Sequence, residues 1–175
     1  DSSDVMAQLA VFQTCVRERL RAQDMRGLGV FAKAFFHARD LRRKIASALR
    51  GKVSAFESSG NREDILRAVC AGMVDHLYRN EYGRYKNGEV GERELCRESV
   101  LRTAEWMVGI PWDLQIKTRR GPMTLRLVRM ATKVDPKWLA EVAPQLAKKE
   151  AGLDPYYDQD RCCVVSTTRV TFNGI

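Results

Sequence analysis

The chain has 175 residues, 45% of them hydrophobic and 30% charged, with a formal net charge of +8. That is enough apolar content for one packed domain or two small ones, and it excludes a disordered chain. No apolar run approaches the ~18 residues of a membrane span and no signal peptide opens the chain, so a cytoplasmic protein with no membrane partner is expected.

Of the 30 basic residues 21 are arginine. The guanidinium fork matches phosphate oxygens with paired hydrogen bonds, so this bias suggests phosphate-bearing partners, with general solubility as the plain alternative. The five cysteines (Cys15, Cys70, Cys96, Cys162 and Cys163) are odd in number. Cys15 and Cys70 fall on apolar helical faces, which fits reduced, buried thiols better than a disulfide framework. The chain opens on Asp1 and ends on Asn173-Gly174-Ile175, directly after the strand-like "RVTF". It reads as an excised piece of a longer protein.

In chain order, Ser3 can cap a helix whose apolar residues Val5, Leu9, Phe12, Val16 and Leu20 recur every three or four positions. Gly27 and Gly29 break that pattern. A second helical stretch, roughly 31–53, carries Phe31, Phe35, Leu41, Ile45 and Leu49. After the loop "FESSGN", Asn61 can cap a third helix that buries Ile65, Leu66, Val69, Met73, Val74 and Leu77. These make a helical domain over 1–80.

From residue 81 the pattern becomes that of strands. Asn87-Gly88 has turn chemistry between strand candidates. "EWMVGIPWDLQIK" and "MTLRLVRMATKV" flank "TRRGP", the tip of a hairpin. "KVDPKWLAEVAPQL" is a strand end followed by a short helix between Pro136 and Pro144. "KKEAGLDPYYDQD" reads as a polar linker, and "CCVVSTTRVTF" as a final strand. The expected fold class is therefore α+β: a helical bundle over 1–80, then a small OB-fold-like β-barrel over 81–175. One short helix should precede its last strand.

The common catalytic signatures are missing. Gly51-Lys52 is followed by Val53 rather than Ser or Thr, so no phosphate-cradling loop is present. His37 and His76 lack Cys or carboxylate neighbours at ligand spacing, and Cys162-Cys163, read as a strand pair, would point to opposite faces. Neither a metal site nor an independent active site is expected. No Ser-centred nucleophile elbow occurs.

Asp135-Pro136-Lys137-Trp138-Leu139, with Ala143-Pro144 downstream, resembles the turn that closes the OB-fold region of DEAH-box RNA helicases. "SDVMAQLAVFQ" at 3–13 resembles the opening of that family's ratchet, or helicase-associated, domain. "FAKAFFHARDLRRKIASAL" resembles its long arginine-bearing helix, "DILRAVCAGMVDHL" its leucine-alanine-glycine helix, and "RESVL" the serine-bearing strand that follows. The tail from Asp154 onward is similar to the bacterial HrpA/HrpB-like branch. Three departures stand out: Lys137 replaces an acid, the hairpin from Trp106 to Val134 is longer, and Gly109-Ile110-Pro111-Trp112 replaces a polar strand.

The resemblance implies a C-terminal accessory fragment of an ATP-dependent helicase, guiding single-stranded RNA or DNA for the RecA-like domains of the same chain. ATP and Mg2+ would belong to those domains, and the fragment itself would need no cofactor. A protein-interaction platform that docks on the motor or an adaptor without touching RNA is the alternative.

Two basic surfaces are candidates for the strand. At 100° per residue Arg39, Arg43 and Arg50 fall within about 40° of one another with Arg42 close by, opposite Leu41, Ile45, Ala48 and Leu49. On the barrel, Arg84, Tyr85 and Lys86 are expected at the end of the first strand, and Lys117, Arg119 and Arg120 at the long hairpin. Tyr82 or Tyr85 could stack a base or pack in the core. Trp138 is expected to plug one end of the barrel, with Pro136 and Pro144 fixing the entry and exit of its helix.

Overall fold

The computed structural model of the protein describes residues 2–49, 60–119, 121–172 and 174–175. It is a mixed α+β structure, helices first and a five-stranded sheet after them, and it divides into two compact units. One comprises residues 6–62 and the other 1–5 together with 63–175. Among the described residues no helix is long and apolar enough to cross a membrane.

The helical unit holds most of α1 (Asp4–Arg17), then α2 (Ala22–Gly27) and α3 (Ala32–Ala48). Cys15, Met25 and Phe35 form its core, ringed by Phe12, Val16, Leu20 and Phe36. The Phe12 and Phe35 rings lie 5.0 Å apart, tilted by 39°. α1 stops because Arg19 turns left-handed, at φ 52°. Leu20 N then donates to Cys15 O and Arg19 N to Val16 O, at 3.1 and 3.2 Å. This is the reversal in which the chain satisfies the last carbonyls of a helix, with Leu20 folded back onto Cys15.

In the second unit α4 (Arg62–Gly72) leads through a 3-10 turn (Val74–His76) into β1 (Leu77–Glu81). The units divide at 62/63 rather than at the expected 80/81, because α4 and the turn belong to the core of the strands. Cys70, Val74, Leu77, Trp106, Val108, Val134 and Leu139 are buried in one cluster. β2 (Arg84–Asn87), β3 (Gly91–Leu95), β4 (Trp106–Thr118) and β5 (Gly121–Lys133) complete the sheet.

Its strand order is β1-β2-β3-β5-β4, and it closes because β1 also pairs with β4 from Leu77–Val108 to Arg79–Trp106. The β3–β5 pairing is parallel and the others antiparallel. Alternate residues of β1 and β4 feed two clusters. Leu77, Trp106 and Val108 enter the first, whereas Tyr78 and Met107 join Tyr85, Leu101, Val128 and Ala131 in the second. Apolar residues on both faces of these strands explain their continuous runs.

The turns follow local chemistry. Tyr82 and Gly83, at φ 54° and 85°, form the tight left-handed pair between β1 and β2, and Gly83 N donates to Asn80 Oδ1. Asn87 ends β2. Its Oδ1 accepts from Glu89 N and Val90 N, and its Nδ2 donates to Leu77 O at 2.7 Å. The N-terminus is tied to the same unit. Ser2 O accepts from Lys133 N, and the Ser3 and Thr132 hydroxyls are 2.8 Å apart. Asp4, buried, accepts from Ser99 Oγ, Val100 N and Ala131 N at 2.9, 2.7 and 2.8 Å.

Only the base of the long hairpin belongs to the barrel. A bulge interrupts β4–β5 between Val108 and Ile110, with Met130 at φ 53°. β5 still pairs with β3 at Leu127 and Val128, and beyond that the two strands run on from Asp113–Arg126 to Thr118–Gly121 as a ribbon. All five barrel strands precede α5 (Pro136–Val142), contrary to the expectation of one strand after it. The expected linker is instead β6 (Ala147–Asp158), which pairs with β7 (Cys163–Phe172) in a separate two-stranded sheet. Its register shifts twice, around Leu153, which hides the two-residue period of a strand.

Candidate nucleic-acid interface

α3 carries Arg39, Arg42 and Arg43, and its packing is turned from the expected one. Phe35 is buried, and Phe36, Arg39 and Arg42 on the same side are half-buried. Leu41, Ile45 and Leu49, expected to be the packed side, are 49%, 52% and 49% exposed. Phe35 of α3, rather than its aliphatic residues, meets the neighbouring Phe12, so the arginines beside it emerge next to the core. Arg39 lies over the Phe36 ring, 4.9 Å from its centroid. Among the described residues Asp40 is the one carboxylate within 4 Å of Arg39 or Arg43, at 3.9 and 3.8 Å. Arg50 lies outside the described residues.

The barrel patch is differently built. Arg84, Tyr85 and Lys86 are in β2, not at the end of the first strand. Tyr85 is 3% exposed, and its hydroxyl accepts from Ala104 N, so its ring cannot stack a base. Tyr82, at the preceding turn, is fully exposed. Arg84 pairs with Glu92 and Glu94 at 3.8 and 3.9 Å, and Lys86 with Glu81 and Glu92. The hydrogen bond to Glu81 pushes the Lys86 amine above its ordinary range. These cations face carboxylates across neighbouring strands, which leaves less of their field for a phosphate.

Lys117 and Arg119 are exposed at the ribbon tip, and Arg120 lies outside the described residues. Arg129 covers the Trp112 ring at 4.5 Å. At the base Arg93, only 8% exposed, is bonded to Asp113 and ties β3 to the emerging ribbon. Directly opposed pairs Trp112–Leu127, Leu114–Leu125 and Ile116–Met123 give the ribbon one apolar face. None of the six joins a core cluster.

Leu139, rather than Trp138, is the fully buried residue of the closing helix. Leu139 lies in the first cluster, while Trp138 packs half-buried against that cluster with Arg67 5.9 Å over its ring. The helix phase that sends Leu139 inward necessarily sends Trp138 about 100° away. Pro136 does start α5, and Asp135 Oδ1 accepts from Lys137 N at 2.9 Å to cap it. Pro144 opens the next 3-10 turn (Pro144–Leu146), one residue after the helix ends.

Sequence reasoning missed Arg19. It lies between the periodic residues Val16 and Leu20, off the apolar face, and its left-handed turn places it in one cavity with Phe35, Phe36, Arg39 and Arg43 of α3. Cys96, also unassigned, donates to Glu98 Oε2 at 2.6 Å and pulls that carboxyl below its usual range. Among the described residues no group of three His, Cys, Asp or Glu is placed to hold a metal ion.

No protein-family model matches the chain, and no curated protein matches it. Among solved structures it is similar to the crystal structure of the E. coli DExH-box NTPase HrpB, at 18% sequence identity and a TM-score of 0.40. The match covers 65% of this chain and 14% of that one. A likeness that low carries no functional weight.

Proposed function

We propose that the chain is the C-terminal accessory portion of an ATP-dependent DEAH-box RNA helicase of the bacterial HrpA/HrpB-like branch. Its two units would be ratchet-like and OB-fold-like. Each would bind single-stranded nucleic acid for RecA-like domains that hold ATP and Mg2+. The observation that carries this reading is the arginine face of α3, where Arg39 and Arg43 share, among the described residues, a single, loosely placed carboxylate. The excess of arginine in a chain of charge +8 supports it, as do the ordered sequence resemblances from residue 3 to 146. Binding through phosphates is indifferent to base sequence. Fluorescence anisotropy with a labelled single-stranded oligonucleotide tests the reading. The triple change Arg39→Glu, Arg42→Glu, Arg43→Glu should abolish most binding while the far-UV spectrum persists. Binding unaltered by that change would remove its basis.

The apolar ribbon face favours a second reading, a platform for docking on the motor or an adaptor without RNA contact. An isolated two-stranded ribbon is marginal in water, so a covered face would give it a reason to persist. Capture of RecA-like domains that is lost in Leu114→Asp, together with no affinity for RNA, would favour this alternative.

A further inference from the structure

Within the helical unit Arg19, Arg39 and Arg43 line one cavity of about 250 Å3, with Phe35, Phe36 and Cys15 among its walls. Three arginines are brought to one cavity there, from the end of α1 and from α3. Among the described residues no ion pair or hydrogen bond holds the side chain of Arg19, and Asp40 reaches Arg39 and Arg43 only beyond hydrogen-bond distance. Three arginines in the wall of one cavity, without a close counter-ion among the described residues, would be neutralised by an anion held in that cavity.

The position of Arg19 adds an independent argument. It occupies the left-handed residue of the α1 terminus, at φ 52°, where glycine is the favoured residue and any side chain is strained. The backbone reversal needs no arginine. A strained arginine that shares a cavity with two others is better explained by what it can hold there than by the turn it makes.

We propose that Arg19, Arg39 and Arg43 form a phosphate pocket that clamps one phosphodiester group of a single strand, with Arg19 as a specific ligand of that group. The guanidinium forks would hold its non-bridging oxygens, and the phenylalanine walls would exclude competing water. This rests on the reading of α3 as a nucleic-acid face.

The test is Arg19→Gly in the 175-residue chain, read by thermal melting and by anisotropy with two 12-mers, one normal and one entirely abasic. Glycine relaxes the left-handed turn, so the melting temperature should hold or rise. Affinity for both strands should fall about three- to tenfold, and the log–log salt dependence should become shallower by about 0.7, the loss of one phosphate contact on a single strand. Arg19→Lys should recover part of the affinity. If Arg19→Gly binds as the parent does while Arg39→Glu with Arg43→Glu binds weakly, the pocket is wrong and the α3 reading survives. If neither variant weakens binding, both fall. Inorganic phosphate that raises the melting temperature of the parent but not of Arg19→Gly, with strand binding equal in the two, would assign the site to a free anion and overturn the strand assignment.

Discussion

Asp4 → Ala is the sharpest test of how the N-terminal segment is held. Three donors converge on this buried carboxylate: Ser99 Oγ and Val100 N on Oδ1, and Ala131 N on Oδ2. Alanine leaves all three without an acceptor in a site closed to water. Each orphaned group costs about 1–3 kcal/mol, and breaking a buried charged network costs about 3–5 kcal/mol in all. Against a typical total of about 5–15 kcal/mol, that is a large share. Asp4→Asn should be milder, near ~2 kcal/mol, because one oxygen can still serve Ser99 and Val100 while the amide confronts Ala131 N–H. The assay is urea denaturation followed by tryptophan fluorescence, since Trp106, Trp112 and Trp138 all lie in the unit that Asp4 anchors. An Asp4→Ala loss below ~0.5 kcal/mol would refute the assignment of Asp4 as an anchor, since orphaned donors cannot be that cheap.

Leu139→Ala should cost about 2–5 kcal/mol, and Trp138→Ala clearly less despite the larger side chain, because half-buried area returns less on removal; denaturation midpoints would rank them. Gly109→Ala should destabilise by about 1–3 kcal/mol, measured the same way. The new methyl would meet Val128 Cγ1 and lie 3.0 Å from the Arg129 carbonyl oxygen. Burial raises the Cys70 thiol from 9.0 to about 11 and the Tyr78 phenol from 10.0 to about 12. In both, the native state keeps a proton that the unfolded chain has lost, so stability is full at neutral pH. It should fall from about pH 9 to pH 12. Tyrosine absorbance should show one phenol ionising only as the chain unfolds; all five titrating together near their ordinary value would contradict this.

What could be read from residue order depended on whether neighbours along the chain decide the outcome. The closing helix was legible because Asp135-Pro136 sets its start and Pro144 forbids its continuation, and both act within a few residues. Which of Trp138 and Leu139 points inward was not, since rotation of the helix is set by the strands beneath it. On α3 the aliphatic positions looked like the packed side, but Phe35 took the contact with Phe12, and Leu41, Ile45 and Leu49 were left exposed. β6 escaped because Gly152, Asp154 and Pro155 break its alternation, and only pairing with β7 shows it to be a strand. Arg84 and Lys86 are plainly basic in sequence; that Glu81, Glu92 and Glu94 stand opposite them is a fact of strand register. The cluster at Arg19 joins residues twenty positions apart through a left-handed turn that nothing in local composition signals.

The account turns on phosphate recognition, and the salt dependence of single-strand binding tests it most directly. If about three phosphates are held, affinity for a single-stranded oligonucleotide should drop roughly 20-fold between 50 mM and 200 mM monovalent salt. The Arg39→Glu, Arg42→Glu, Arg43→Glu chain should show almost no salt-sensitive binding. An affinity that stays level across that range, or no measurable binding even at the lower salt, would contradict the account.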